Sequence, residues 1–151
     1  MLKTIQGHYQ VRGKHFGIVI SRFNEFITQR LLQGCLQELR RHNIKDNQIT
    51  IVWVPGSFEI PIVALKLAKR KSIDVVICLG AVIRGETIHF DLVAQAAATG
   101  ILKASLITEK PIIFGVITND NVSQAYQRSK KKGSNKGQDA AQTALEMISV
   151  F

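Results

Sequence analysis

A three-layer α/β/α domain on a four-stranded parallel sheet is the fold that this sequence predicts, and three observations predict it. Short, unbroken apolar runs such as FGIVIS and DVVICLGAVI recur along the chain, the pattern of strands buried on both faces. Between them lie segments with apolar residues at helical spacing. The strict alternation of the two calls for parallel strands joined by crossovers, with helices on both faces of the sheet.

Taken in order, residues 1–13 are polar and contain glycine, which predicts an arm or an edge strand rather than core; an arm of this kind often packs on a neighbouring subunit. The first strand is read over Lys14 to Ser21. Asn24 then offers an N-cap, and Ile27, Leu31, Cys35 and Leu39 predict an amphipathic helix to about His42, with Asn43 as its stop. The run ITIVWV is the second strand, ended by Pro55 and Gly56. Ser57 is read as the next N-cap, with Pro61 in the first turn and Ile62, Leu65, Ala68 and Lys69 carrying a short helix to about Lys71.

The third strand is expected from Asp74 to about Ile83. Beyond the loop that follows, Leu92, Val93, Ala96, Ala97, Ile101 and Leu102 predict an Ala-rich helix able to pack closely, in another subunit against its own copy. PIIFGVIT is the fourth strand, and NDNVSQAYQRS starts a helix capped by Asn119 or Asn121. Past a basic, Gly-containing turn, Gln138 to Phe151 forms a last amphipathic helix with Ala141, Ala144, Leu145 and Ile148 inward. No repeat or linker interrupts the pattern, so residues 14–151 are expected to form one domain behind the arm.

The totals fit that outline. A chain of 151 residues, 46 % hydrophobic and 21 % charged, suits one domain with a proper core. No leader is recognisable and the apolar runs look too short for a bilayer, so the expected setting is the cytoplasm, without a membrane partner. Cys35 and Cys78 sit in apolar segments with no His/Cys cluster near them, which predicts buried thiols and no metal site. The net charge of +9 admits nucleic acid or anionic small molecules. Much of the excess falls in one turn, RSKKKGSNK, and no aromatic-interleaved RNA motif appears, so small anions are favoured over nucleic acid.

In open parallel sheets, ligands lie beyond the carboxyl ends of the strands. Four segments should therefore converge on one edge: RFN, PGSFE, GAVIRGETIH and ITND. Phe23, just past a strand end, either plugs the core or stacks on a planar ring. Glu59 either complements a helix dipole or binds a ligand. Gly85 to Thr87 place backbone N–H groups and a hydroxyl at a helix start, which resembles an anion site, although neither GxxxxGK[ST] nor GxGxxG is present. His89, in the first helical turn, lies where the positive helix end disfavours imidazolium; it is read as an acid/base or as a structural histidine. Arg128 could clamp a phosphate bidentately, but from the far helix it would reach this loop most easily across a subunit boundary.

Together FNEFIT, VPGSFEIP, GAVIRGETIHFD and the FGVIT…R…NKG tail resemble the lumazine synthase family, in the same order and with nearly the same spacing, from Phe16 onward. The resemblance implies a flavodoxin-like fold and a transferase of riboflavin biosynthesis that uses no cofactor or metal. Its two substrates would be 5-amino-6-(D-ribitylamino)uracil and 3,4-dihydroxy-2-butanone 4-phosphate, joined to 6,7-dimethyl-8-ribityllumazine with release of phosphate and water. By position, Phe23 would stack on the pyrimidine, and Ser57, Phe58 and Glu59 would hold the ribityl chain. Ala81, Val82 and Ile83 would read the uracil edge, Glu86 and Thr87 would bind the phosphate, and His89 would move protons.

Phe114 and Arg128 would come from the adjacent subunit of a homopentamer, with Lys136 approaching the same pocket. Larger assemblies, a decamer or a 60-subunit shell, are left open. The family commonly has Gly-Thr or Gly-Gly where this chain has Lys130 and Lys131, and Ala-Gly where it has Gly133 and Ser134. Added positive charge at a repeated contact would oppose the larger assemblies.

Overall fold

The computed structural model describes residues 1–150. Four strands, β1 (Phe16–Ser21), β2 (Ile49–Val54), β3 (Val75–Ile83) and β4 (Ile112–Asn119), form one all-parallel sheet in the order β2-β1-β3-β4. Five helices accompany them: α1 (Glu25–Arg41), α2 (Ile60–Ala68), α3 (His89–Thr108), α4 (Val122–Gln127) and α5 (Lys136–Val150). Short 3-10 turns at Asp46–Gln48 and Ser57–Glu59 precede β2 and α2. This is the expected three-layer, flavodoxin-like arrangement.

The strand pattern sets the layers. Successive side chains point to opposite faces, so Ile18, Ile20, Ile77 and Leu79 pack under α1 and α5, while Val19, Val76 and Cys78 pack under α2 and α3. β1 is wholly buried, and so is β3 apart from its last residue Ile83, as their continuous apolar runs require. At the edge, β2 is exposed at Thr50 and Ile51 and fully buried only at Val54. Gly137 marks the closest helix approach: a Cβ there would fall against the carbonyl of Leu31, so α5 can sit directly on α1 only with glycine at that point.

Several local expectations are corrected. Asn24 precedes α1 but its side chain caps nothing; it is left-handed at φ 61°, and only its carbonyl receives the amides of Ile27 and Thr28. Asn43, at φ 66°, does end that helix, a conformation asparagine tolerates. Ser57 is no N-cap either: it lies inside the 3-10 turn, and α2 stops at Ala68 because Lys69 and Arg70 close it with bonds back to Leu65 and Leu67. The buried stripe of α2 is Ile60, Ala64, Leu67 and Ala68, whereas Ile62 is exposed. Of the two caps proposed for α4, Asn121 serves, its Oδ1 accepting from Gln124 N at 2.9 Å; Asn119 is buried in β4. α5 begins at Lys136, two residues earlier than expected, because Asn135 Oδ1 accepts from the amides of Gly137 and Gln138. The expected end of this helix at Phe151 lies outside the described residues.

Residues 1–15 form neither helix nor strand. The arm is fastened to its own subunit: His8 N donates to Ser149 Oγ at 2.7 Å, Ser149 Oγ donates to His8 O, and Tyr9 lies against His42 with ring centres 5.3 Å apart. Among the described residues one helix, α3, is long and apolar enough by length and composition to cross a membrane, contrary to the reading from unbroken runs. Its only charges are Asp91 and Lys103, and small polar residues dilute the rest without making it hydrophilic. Leu92, Leu102, Leu106 and Ile107 on it are 58 to 69 % exposed.

Candidate active site at the carboxyl edge of the sheet

The strand order reverses between β1 and β3, which opens a crevice at their carboxyl ends. A cavity of about 310 Å³ occupies it, walled by Phe23 and Asn24 after β1, Pro55 to Glu59 after β2, Ala81 to Ile83 at the end of β3, and His89, Phe90 and Val93 on α3. Three of the four segments expected to converge there do so.

The walls are held by bonds that only the folded chain brings together. Arg22 N and Phe23 N donate to Val54 O and Pro55 O, tying the loop after β1 to the loop after β2. Thr28 Oγ1 donates to Ser21 O at 2.8 Å, and Asn24 Nδ2 reaches across to Ala81 O at 2.9 Å. Phe23 and Phe58 are 72 % and 62 % exposed, so neither plugs the core; both line the cavity. Ser57 is buried above Gly80, where a Cβ would meet its hydroxyl at 2.6 Å and that of Ser21 at 3.2 Å. Glycine lets β3 pass beneath both serines.

The loop from Arg84 to Ile88 projects from the same edge. Arg84 stacks on Phe90 at 4.4 Å and pairs with Asp120 at 3.0 Å and Asp91 at 3.7 Å, while its amide donates to Asn119 O. Thr87 Oγ1 accepts from His89 N at 3.2 Å, so the threonine hydroxyl helps to start α3. Among the described residues, the amides of Gly85, Glu86, Thr87 and Ile88 donate to no protein acceptor. Four free N–H groups at the head of a 20-residue helix suit an anion.

Phe114, Arg128 and Lys136 are not in this cavity. They line a second groove of about 740 Å³ along the free edge of β4. Phe114 is 46 % exposed there. Lys136 approaches Asp139 at 3.4 Å. The turn that carries them is braced on α1: Arg30 Nε donates to Ser129 O, and Asn135 Nδ2 donates to Arg30 O and Lys130 O. Lys130, Lys131 and Lys132 face solvent at its tip.

Sequence reasoning missed Asn24 as a cavity residue, because an asparagine before an amphipathic run reads as a cap. It also left Arg84 without a role and treated Asn119 only as a cap. No local signal gives Asn24 away; its partner is 57 residues distant. Both cysteines are buried as expected, and burial pushes the Cys35 thiol up to about 12 and the Cys78 thiol up as well. Among the described residues no group of His, Cys, Asp and Glu is placed to hold a metal ion.

Fold and site together define an open parallel α/β protein with a cavity at its switch point and a loop of free amides at the head of α3 beside it. A sequence model of the 6,7-dimethyl-8-ribityllumazine synthase family matches residues 13–151. The chain belongs to that family, which places it among the transferases of riboflavin biosynthesis.

Proposed function

We propose that the protein condenses 5-amino-6-(D-ribitylamino)uracil with 3,4-dihydroxy-2-butanone 4-phosphate to give 6,7-dimethyl-8-ribityllumazine. The 5-amino group attacks the ketone and loses water as the imine forms. Inorganic phosphate is eliminated, and the ribitylamino nitrogen closes the second ring with loss of another water. Phe23 stacks on the pyrimidine, the Ala81 to Ile83 backbone reads its edge, and Ser57 to Glu59 take the ribityl hydroxyls. The free amides from Gly85 to Thr87 hold the phosphate, with Glu86 in the same loop, and His89 relays protons at the reacting carbons.

What carries this reading is the cavity itself: in a chain of this family, Phe23, Ser57, Phe58, Glu59, Ala81, Val82, Ile83 and His89 share one crevice. The site is completed between subunits. Phe114, Arg128 and Lys136 line the opposite groove on the β4 edge and reach the cavity of the next copy in a homopentamer. The exposed leucines of α3 give such a ring apolar surface to bury. Both substrates are reactive once aligned, so holding them in attack geometry supplies much of the rate.

Mixing the purified protein with both substrates should produce the yellow, fluorescent lumazine with one phosphate released per product. A folded protein that releases neither would overturn the assignment. Native mass measurement tests the ring; a monomer that turns over at full rate would remove the shared site.

A further inference from the structure

The end of β4 holds a buried amide with one unmet donor. Asn119 is 1 % exposed, its Oδ1 accepts from Arg128 Nη1 at 2.5 Å, and its Nδ2 has no partner among the described residues. The amide cannot improve matters by flipping, because a guanidinium only donates and needs the oxygen. Arg128 Nη1 also donates to Thr118 O at 2.9 Å. Both acceptors are neutral. Arg40, Arg41 and Arg84 each hold a carboxylate, whereas Arg128 makes no ion pair among the described residues. Nor do its Nε and Nη2 donate to any described group.

An aspartate in the same space would satisfy Arg128 and leave no orphan N–H, yet it would cancel the positive charge. Asparagine fixes the guanidinium and leaves that charge whole. We propose that Asn119 is a positioning residue for anion recognition: it orients Arg128 through Nη1 so that Nε, Nη2 and an uncompensated charge face an incoming phosphoryl group in the β4 groove. Lys136, whose charge is shared with Asp139, is the weaker partner there. That the phosphoryl group belongs to the butanone substrate rests on the function proposed above.

The test compares Asn119→Asp, Asn119→Ser and Arg128→Ala in the full chain. Asn119→Asp should fold with an unchanged or higher Tm. It should raise KM for the butanone phosphate, and Ki for competing inorganic phosphate, about tenfold, since a charge-assisted bond is lost to the anion. KM for the ribitylaminouracil and kcat at saturation should stay within about twofold of the parent, a split that a merely structural role would not give. Asn119→Ser keeps the charge but loses the reach, and should fall between the parent and Arg128→Ala. The proposal is overturned if Arg128→Ala raises the phosphate KM and Asn119→Asp leaves it unchanged, or if Asn119→Asp raises both KM values equally. Should the parent protein make no lumazine, the function fails separately, and titration with inorganic phosphate followed by phosphorus NMR still decides. Weaker binding by Asn119→Asp supports the proposal; equal binding, or none by the parent, overturns it.

Discussion

Asn24 and Ala81 are joined across the mouth of the cavity, the amide of one donating to the carbonyl of the other at 2.9 Å while Asn24 sits in a left-handed conformation at φ 61°. The bond fixes the loop after β1 against the end of β3, so Phe23 and the Ala81 to Ile83 backbone keep one spacing. Asn24→Ala removes the donor and also strains the backbone, and should cost about 1–2 kcal/mol. Asn24→Gly relieves the strain but not the lost bond. Both variants should raise KM for the pyrimidine substrate severalfold, while denaturation shows the glycine variant to be the more stable. A glycine variant with the parent KM would show that the clamp does not govern binding.

His89 leads α3 and faces the cavity. If alignment supplies most of the rate, His89→Ala should lose about 10²-fold in kcat and still turn over. Steady-state assay of the folded variant decides; complete loss of turnover would make proton transfer, and not proximity, the dominant contribution.

Gly80→Ala should push a methyl into Ser57, costing about 1–3 kcal/mol and displacing the turn that carries Glu59. Combining it with Ser57→Gly opens the space again. Thermal denaturation of the two variants should show the double substitution recovering much of the loss, and no recovery would place the strain elsewhere.

Glu38 gives the fold an acid limit. Its side chain is 2 % exposed and accepts from Arg41, Gln138 and Gln142, with His42 Nε2 2.9 Å away. Burial alone would raise its pKa; the bonds from Arg41, Gln142 and His42, with the charge of Arg41, outweigh it and hold the carboxyl at about 2. The unfolded chain therefore binds this proton more readily than the folded one. The stabilisation is complete above the ordinary glutamate range, near pH 4.5, and disappears as pH falls to about 2. Glu38→Gln should lower stability by about 1–3 kcal/mol at pH 7 and lose less of it on acidification. Parallel acid curves for the parent and the variant would assign the acid limit to other carboxylates.

The elements were legible in the sequence because β1 and β3, the continuous apolar runs, are the two strands buried on both faces, and helical spacing survives wherever one face is buried. Boundaries and caps were less so. Asn24, Ser57 and Asn119 each look like helix caps from their neighbours in sequence, yet Asn24 bonds to Ala81, Asn119 receives Arg128, and Ser57 packs over Gly80. Competition between a local and a distant hydrogen-bond partner cannot be read from spacing.

The sequence by itself determined the layers, the strand-to-helix alternation and the family, since these rest on periodicity and on motifs contiguous in the chain. It also named most of the cavity wall, because residues that follow parallel strands must gather at one edge. Only the tertiary structure decided that Phe23 and Phe58 face outward, that Ser57 rests on Gly80, and that Arg128 belongs to a different groove from His89. Those facts depend on strand order and register, which bring distant residues to within a hydrogen bond or hold them on opposite edges, and no local pattern in the chain encodes that distance.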